Sequence, residues 1–247
     1  MLITTTINPQ VKGRIAEKTI TLLLTILLIA GLICSYAQNT WTQKASFGGT
    51  ARDAAVGFSI DNNGYIGTGW DATSPFKNDF WEYNSATNAW TQKANFGGTG
   101  RNGAIGFSVD NKGYIGTGYD VNYEKKNDFW EYDPATNTWI QKANFGGTAR
   151  DLAVGFSIGS KGYLATGRDI NGYTNDLWEY DPVTNVWIRK ADLGDTGRYG
   201  AVGFSIDSKG YIGTGFDINY QKNDFWEYDL QRICGYQRLT SMEQQEI

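Results

Sequence analysis

The amino-acid sequence predicts an all-β protein, a β-propeller made of four-stranded antiparallel blades. One unit recurs four times at spacings of 48 or 49 residues, and each unit contains four short segments rich in Thr, Val and aromatic residues. No segment has a 3.6-residue apolar period long enough for a helix. Four short strands repeated at this spacing are typical of a propeller blade, and 247 residues suit one large all-β domain.

Four independent series of residues mark the repeat. A Trp lies in the predicted third strand of each unit, a Gly begins the second strand, another Trp marks the fourth strand, and an Arg precedes the first. The series are Trp81, Trp130, Trp178 and Trp226; Gly64, Gly113, Gly162 and Gly210; Trp41, Trp90, Trp139 and Trp187; and Arg52, Arg101, Arg150 and Arg198. Four series with one period establish the repeat.

The strands of the first unit show the pattern that the others follow. Ala54–Ile60 is apolar and small, which suits an innermost strand crowded near the propeller axis. Asp61–Gly64 supplies a turn, because Gly accepts a positive φ and Asp and Asn bond their own backbone. The second strand is predicted at Tyr65–Gly69, the third at Phe80–Tyr83 and the fourth at Trp90–Lys93.

The repeat resembles that of the kelch family over about residues 40–229. The segments Tyr132–Trp139 and Tyr180–Trp187 both read Tyr-Asp-Pro-x-Thr-Asn-x-Trp, as kelch blades do between the third and fourth strands. The match departs at the family's Gly-Gly doublet, which Gly67–Gly69 replaces with Gly-Thr-Gly. The resemblance implies four kelch-like repeats in a propeller, and it leaves the function open because propellers host both binding modules and enzymes.

The strand order raises the question of how the ring closes. Trp41–Lys44 reads as a lone fourth strand, and the last unit stops after its third strand at Phe225–Tyr228. The resemblance implies a ring in which these two segments pair in one shared blade, which would remove the open edges. The alternative is a truncated larger propeller, because residues 230–247 form a divergent tail without the blade motif.

The first 37 residues have the features of a secretory signal peptide. Three basic residues precede the apolar run Ile20–Ile33, and the small residues Ser35 and Ala37 suit a cleavage site. The run is shorter than the roughly 20 residues that a bilayer span needs, although an uncleaved anchor stays an alternative. We therefore expect a secreted or extracytoplasmic protein with domains at 1–37, 38–229 and 230–247, and no stable membrane span after cleavage.

The composition excludes several kinds of chemistry. There is no His, which removes Ser-His-Asp and Cys-His catalysis, His-ligated zinc or copper, and imidazole acid–base steps. The kelch superfamily includes a copper–tyrosyl oxidase with a His/Tyr/Cys site, and this chain lacks that set. A net charge of −4 argues against nucleic acid as a partner. We expect no cofactor and no catalytic residue.

The repeated arginines are the first candidate ligand contacts. Arg52, Arg101, Arg150 and Arg198 precede the innermost strands and would line one mouth of the central channel, near Asp71, Asp120, Asp169 and Asp217. One interpretation is a charged funnel for an anionic or hydroxyl-rich ligand, since Arg offers a planar fork of donors. The favoured interpretation is a structural Arg–Asp pair in each blade, because a contact that recurs in every blade is usually structural.

Two further series favour structural roles. Asp79, Asp128, Asp176 and Asp224 could suit Ca²⁺, but no unit has a full Asp-x-Asp-x-Asp ligand run, so no metal site is expected. Pairs such as Trp130 and Trp139 could stack on sugars or bases. Their identical recurrence instead predicts packing between blades.

The loops between the second and third strands differ most between the units, so they are the second candidate site. They carry aromatic residues with polar neighbours, among them Phe76, Tyr123, Tyr173 and Tyr220. One loop begins with Arg168 where the others begin with an aromatic residue. Exposed Tyr beside polar groups is typical of recognition surfaces, and these rings could also brace the loops.

These features favour a secreted, non-catalytic interaction module that binds a protein or a glycan through its loop face. The alternative is a carbohydrate-active enzyme of isomerase or lyase type, with an Arg/Glu/Tyr funnel in which Arg168 and Glu124 break the symmetry. A third alternative is a propeller fragment without a function of its own. In each binding interpretation the identity of the ligand stays open.

The signal peptide generates a prediction. Mass spectrometry of the protein recovered from a secreting host should give a chain that begins at Gln38, because Ser35 and Ala37 satisfy the small-residue rule for cleavage. Secreted protein that still begins before residue 30 would contradict this prediction.

Overall fold

The computed structural model describes residue 10, residues 40–73 and residues 75–230. Apart from residue 10, the predicted signal peptide lies outside the described residues, and so does the tail after residue 230. Within the described part, no helix has the length and apolar character that a membrane crossing requires.

The regular structure of residues 40–230 consists of short strands. Fifteen strands of four or five residues build the blades, and six strands of two residues form small ribbons in the loops. In chain order they are β1 (Val56–Ile60), β2 (Asn63–Gly67), β3 (Phe80–Asn84), β4 (Ala89–Gln92), β5 (Arg101–Asn102), β6 (Ile105–Val109), β7 (Lys112–Gly116), β8 (Tyr119–Asp120), β9 (Phe129–Asp133), β10 (Thr138–Gln141), β11 (Val154–Ile158), β12 (Lys161–Ala165), β13 (Arg168–Asp169), β14 (Gly172–Tyr173), β15 (Leu177–Asp181), β16 (Val186–Arg189), β17 (Val202–Ile206), β18 (Lys209–Gly213), β19 (Phe216–Asp217), β20 (Tyr220–Gln221) and β21 (Phe225–Asp229).

The long strands form four antiparallel sheets, which are the blades of a four-bladed β-propeller. The sheet orders are β1-β2-β3-β4, β6-β7-β9-β10, β11-β12-β15-β16 and β17-β18-β21. Strands β1, β6, β11 and β17 contact one another in that order and are the innermost strands. The predicted all-β propeller with one blade per repeat is confirmed.

The predicted closing strand is not formed. Residues 41–44 have no strand assignment, Trp41 is fully exposed, and the fourth sheet contains three strands in the described part of the chain. Val202 on the innermost strand of the fourth blade is 58% exposed, whereas the equivalent Val154 in the third blade is 4% exposed. Val202 is exposed because, among the described residues, no blade packs on this face of the fourth blade.

Consecutive blades fit together through glycines. The innermost strands of the first three blades project apolar side chains toward the next blade, which receives them on two glycines of its first and second strands. A Cβ on Gly106 would lie 3.0 Å from Val56 Cβ, and one on Gly113 would overlap the ring of Phe58. Only a residue without a Cβ leaves room for this approach, which explains the glycines of the repeat.

The core consists of aromatic residues held between blades. Phe80 of the first blade stacks on Tyr65 at 5.5 Å, and it meets Tyr132 and Trp139 of the second blade edge-on at 4.8 Å and 5.0 Å. All these distances join ring centroids. The same set recurs between the second and third blades, so the prediction that the Trp of the fourth strand packs between blades is confirmed.

The glycine packing generates a prediction. Replacing Gly113 by Ala should lower the free energy of unfolding by about 1–3 kcal/mol, because the new Cβ would overlap Phe58. Gly64 is the matched control at protein concentrations that keep the chain monomeric, since it holds the same position in the first blade and a Cβ there would meet only Tyr83 Cβ of the same chain, at 3.9 Å. Urea unfolding measures both variants. Equal losses of stability at the two positions would contradict this account of the packing.

Candidate functional site

The repeat arginines (Arg52, Arg101, Arg150 and Arg198) are buried inside their blades. Arg101 shows the arrangement: its Nη2 donates to Asp128 Oδ2 at 2.8 Å, its Nη1 to the Thr117 carbonyl at 2.9 Å and its Nε to the Thr99 carbonyl at 3.0 Å. The indole of Trp130 donates to the same carboxylate oxygen at 2.9 Å. The donors of the guanidinium are therefore bound to groups of its own blade. Two parallel hydrogen bonds between a guanidinium and a carboxylate are the strong form of this contact.

The partner of each arginine differs from the one suggested by the sequence. The strand aspartates (Asp79, Asp128, Asp176 and Asp224), which precede the third strands, bind the guanidinium groups. The loop aspartates (Asp71, Asp120, Asp169 and Asp217) instead hold their own loops. Asp120, for example, accepts hydrogen bonds from Thr99 Oγ1 at 2.9 Å and from the backbone N–H of Asn122 at 3.0 Å.

A strained backbone position explains the Gly-Thr-Gly segment. Thr117 has a φ of +57°, in the left-handed region that a β-branched residue rarely adopts. The conformation accompanies a buried Thr117 carbonyl that accepts a hydrogen bond from Arg101. The equivalent Thr68, Thr166 and Thr214 have φ values of +59° to +62° and also accept from their arginines. The charged group therefore pairs with a strained carbonyl in every blade.

Each arginine after the first also joins two blades. The backbone N–H of Arg101 donates to the Lys77 carbonyl of the first blade at 3.1 Å, and its carbonyl accepts from Gly69 N–H at 2.8 Å. The side chain meanwhile binds Asp128 of the second blade. One residue thus fixes the position of its own blade relative to the preceding one.

The charge state of the strand aspartates follows from these contacts. Burial alone raises the pKa of the Asp128 carboxyl, but the hydrogen bond from Arg101, its positive charge and the bond from Trp130 outweigh burial and hold the pKa below its ordinary value. The pKa of Asp79 and that of Asp176 are lowered by the same balance. The carboxylates are ionised partners of permanently charged guanidinium groups.

The loop face is the end of the propeller that carries the loops between the second and third strands, with β8, β13, β14, β19 and β20, and also β5, which pairs with β8. Tyr123 lies there, largely exposed, in a cluster with Phe76 and Tyr119 at centroid distances of 5.7 Å and 6.2 Å. Phe76 and Tyr123 have φ values of +65° and +62°. Bulky residues with positive φ are outliers that concentrate at functional sites.

A second aromatic cluster lies on the loops of the third and fourth blades. Arg168 donates to Asp151 Oδ2 at 2.6 Å, and its guanidinium lies 5.5 Å from the ring centroid of Tyr199. Tyr173 packs against Tyr199, and their ring centroids are 5.0 Å apart. Tyr220 is exposed nearby in its own loop, with a φ of +114°. The structure thus places the predicted loop residues in two clusters.

The sequence analysis missed the apolar tips of these loops. Ile170 is 89% exposed and Ile218 is 82% exposed, and Val121 holds the same position in the second blade. All three follow a loop aspartate and precede an Asn, so the recurring Asp-Val/Ile-Asn triplet was the signal. Exposed β-branched apolar residues at equivalent positions of three blades add an apolar component to the loop face.

The loop face contains similar clefts in three blades. A cleft of about 610 Å³ in the third blade is lined by Asn171, Tyr173 and Trp178, and clefts of about 520 and 530 Å³ occupy the same position in the first and second blades. Among the described residues, no group of three or more His, Cys, Asp or Glu side chains could hold a metal ion. The clefts are polar spaces beside the buried arginines.

Comparison with known proteins supports the fold alone. The solved structure of YjhT superposes with a TM-score of 0.65 at 20% sequence identity, over 73% of this chain and 64% of that one. The chain therefore spans less than two thirds of the length of that protein. No protein-family model matches the chain, and a search of curated proteins finds no match either.

The buried arginines generate a prediction about stability. Replacing Arg101 by Met should lower the free energy of unfolding at pH 7 by about 3–5 kcal/mol, because Asp128 would keep its charge without its partner. Arg189→Met is the control, since its ion pair with Asp192 is exposed and is expected to contribute less than about 1 kcal/mol. Urea unfolding at pH 7 compares the two variants.

The pH dependence distinguishes loss of the pair from general damage. The lowered pKa of Asp128 stabilises the fold above the unfolded value of about 3.9 and ceases to do so as the pH falls through the folded value. The stability difference between Arg101→Met and the wild type should therefore shrink between about pH 5 and pH 2. A difference that stays constant or grows over this interval would contradict the role of the pair.

Proposed function

We propose that this protein is a secreted, kelch-type interaction module without catalytic activity, and that its loop face binds a partner protein or glycan. The four-bladed propeller is consistent with such a role, and the kelch-like segments and the predicted signal peptide support the finer statement. The proposal concerns binding because the buried polar groups of the blades already bind one another.

The single observation that carries the proposal is the contrast between a constant scaffold and a variable, exposed loop face. Each blade repeats the same buried Arg–Asp pair, while the loops differ in their aromatic and apolar residues. Tyr123, Tyr173 and Tyr220 are exposed and come from three different loops. A rigid scaffold that presents variable loops is how a propeller makes a specific binding surface.

The chemistry of the loop face suits a macromolecular partner. Tyr side chains bury a large area at a low cost in conformational entropy and offer a hydroxyl for hydrogen bonding. The apolar tips Ile170 and Ile218 would contact apolar groups, which favours a protein over a glycan. Arg168, whose side chain is 43% exposed, lies beside the second cluster with its charge paired by Asp151, so the tyrosines and the apolar tips would make the main contacts.

The geometry supports the binding module better than the enzyme alternative. A funnel enzyme of isomerase or lyase type would use the repeat arginines, whose donors bind carboxylates and carbonyls of the blade. Two residues break the symmetry of the repeat. Arg168 is paired with Asp151, and Glu124 lies in an exposed loop, where its Oε2 is 3.4 Å from Lys126 Nζ. The exposed aromatic and apolar side chains of the loops favour recognition of a partner over catalysis.

The proposal generates a prediction about binding. We expect the biotinylated protein to bind at least one member of printed arrays of extracellular proteins and glycans. Replacing Tyr123, Tyr173 and Tyr220 together by Ala should weaken that binding at least about a hundredfold, because each contact residue of this type contributes on the order of 1–2 kcal/mol. The thermal midpoint should be nearly unchanged, since the three side chains are exposed.

A matched control replaces three exposed apolar residues of the outer edge, Val183, Val186 and Ile188, by Ala. These residues lie in or beside β16, away from the loop face, so binding should be unchanged. The proposal would be contradicted if no array member bound, or if the triple Tyr variant bound with the affinity of the wild type.

A further inference from the structure

A cavity of about 630 Å³ lies between the third and fourth blades. Its lining includes Leu177 of the third blade, Tyr228 of the fourth, and Ala191, Leu193 and Gly194 of the segment that connects them. The lining is mostly apolar, and β21, the outermost strand of its sheet in the described part of the chain, borders the space.

The same place in the preceding interface holds a tryptophan. Trp187 of β16 lies 4.9 Å from Phe129, 5.2 Å from Phe145 and 5.0 Å from Tyr180 between ring centroids, and its indole donates to the Ala143 carbonyl at 3.2 Å. By the repeat, these four residues correspond to Leu177, Leu193, Tyr228 and Ala191. The cavity therefore lies where the repeat would place the tryptophan of a fourth strand in the fourth blade.

The first and fourth blades carry complementary open faces. Val202, Phe204 and Ile206 of β17 are exposed, although their equivalents in the other blades pack on glycines of the next blade. On the first blade, a Cβ at Gly57 would meet only the Tyr65 carbonyl at 3.7 Å, and the position of Gly64 is equally open. Among the described residues, nothing packs on the projecting side chains of the fourth blade or on the receiving glycines of the first.

Backbone hydrogen bonds near the axis also recur from one blade to the next. Gly103 N–H donates to the Ala54 carbonyl, Leu152 N–H to the Gly103 carbonyl, and Gly200 N–H to the Leu152 carbonyl, at 2.8 to 3.2 Å. Each bond joins a blade to the preceding one. A further blade placed after the fourth by the same step would extend this series from the Gly200 carbonyl.

The chain contains a segment whose sequence matches this cavity. Trp41-Thr-Gln-Lys44 is identical in sequence to Trp90-Thr-Gln-Lys93, the predicted fourth strand of the first blade, and Trp41 is fully exposed. The residues directly after it fold onto the first blade, where Ala45 N–H donates to Asn88 Oδ1 at 2.9 Å. A Trp41 placed in such a cavity would therefore bring the first blade with it.

We propose that a second copy of this chain occupies these open faces, head to tail. Trp41–Lys44 of one copy adds to β21 of the other as its fourth strand, and Trp41 fills the cavity beside Leu177 and Leu193. The same placement seats the glycines of the incoming first blade on Val202, Phe204 and Ile206. Two copies joined at both ends contain eight blades, which lies within the range of closed propellers.

Sedimentation velocity of the purified secreted protein tests the proposal. The wild type should sediment as a dimer or a larger head-to-tail assembly. Val202→Asp and Gly64→Val should each weaken the association at least a hundredfold, and Trp41→Ala should weaken it as well. Val183→Asp is the matched control, because Val183 is an exposed valine on a turn of the third blade and should leave the association unchanged.

A mixing experiment then identifies the head-to-tail geometry. Val202→Asp damages only the projecting face and Gly64→Val only the receiving face, so an equimolar mixture retains one intact interface and should form a one-to-one heterodimer. A monomeric wild type, association that survives Trp41→Ala unchanged, or a mixture that stays monomeric would each overturn the proposal. Far-ultraviolet circular dichroism identical to that of the wild type shows that the variants fold.

Discussion

The buried pair between an arginine and a strand aspartate is the interaction on which the rest of the structure depends. In each blade the guanidinium binds the carboxylate of the third strand and the strained threonine carbonyl after the second, and the indole of the third-strand Trp holds the same carboxylate. Taking two charges out of water is costly, and only a geometry that satisfies their donors and acceptors offsets that cost. Because the backbone of each arginine after the first also bonds the preceding blade, these residues link neighbouring blades as well as stabilising their own.

Because of this constraint, the blades and the loops have different roles. The glycines that admit Phe58 and its equivalents, the aromatic core between blades and the buried pairs are the same in every repeat, so they cannot distinguish one ligand from another. The loops between the second and third strands are freed from that role. They carry the residues that differ, and three of their aromatic residues, Phe76, Tyr123 and Tyr220, are held with positive φ. Strain of this kind costs stability and persists because the scaffold around it is rigid.

The sequence was sufficient for the period, the strands and the Trp packing, because these depend on local propensity and on repetition. It could not identify the partner of the arginine, since Asp71 and Asp79 recur with the same period and only the backbone turn at Thr68 determines which one the guanidinium reaches. It also predicted a closing strand at Trp41–Lys44 that the structure does not form. The apolar tips at Ile170 and Ile218 were visible as a recurring triplet, but only exposure distinguishes them from core residues.

The most direct test of this account is the exchange of arginine side-chain protons, measured by ¹H–¹⁵N nuclear magnetic resonance near neutral pH. Arg101 and Arg150 are buried and hydrogen-bonded to carboxylates, so their guanidinium protons should give separate signals that exchange slowly with water. Arg189 is half-exposed on the outer edge and serves as the internal comparison, with fast exchange expected. Slow exchange at Arg101 and Arg150, unaltered by a ligand of the loop face, is the predicted result. Exchange at these two arginines as fast as at Arg189 would contradict the structural role of the buried pairs.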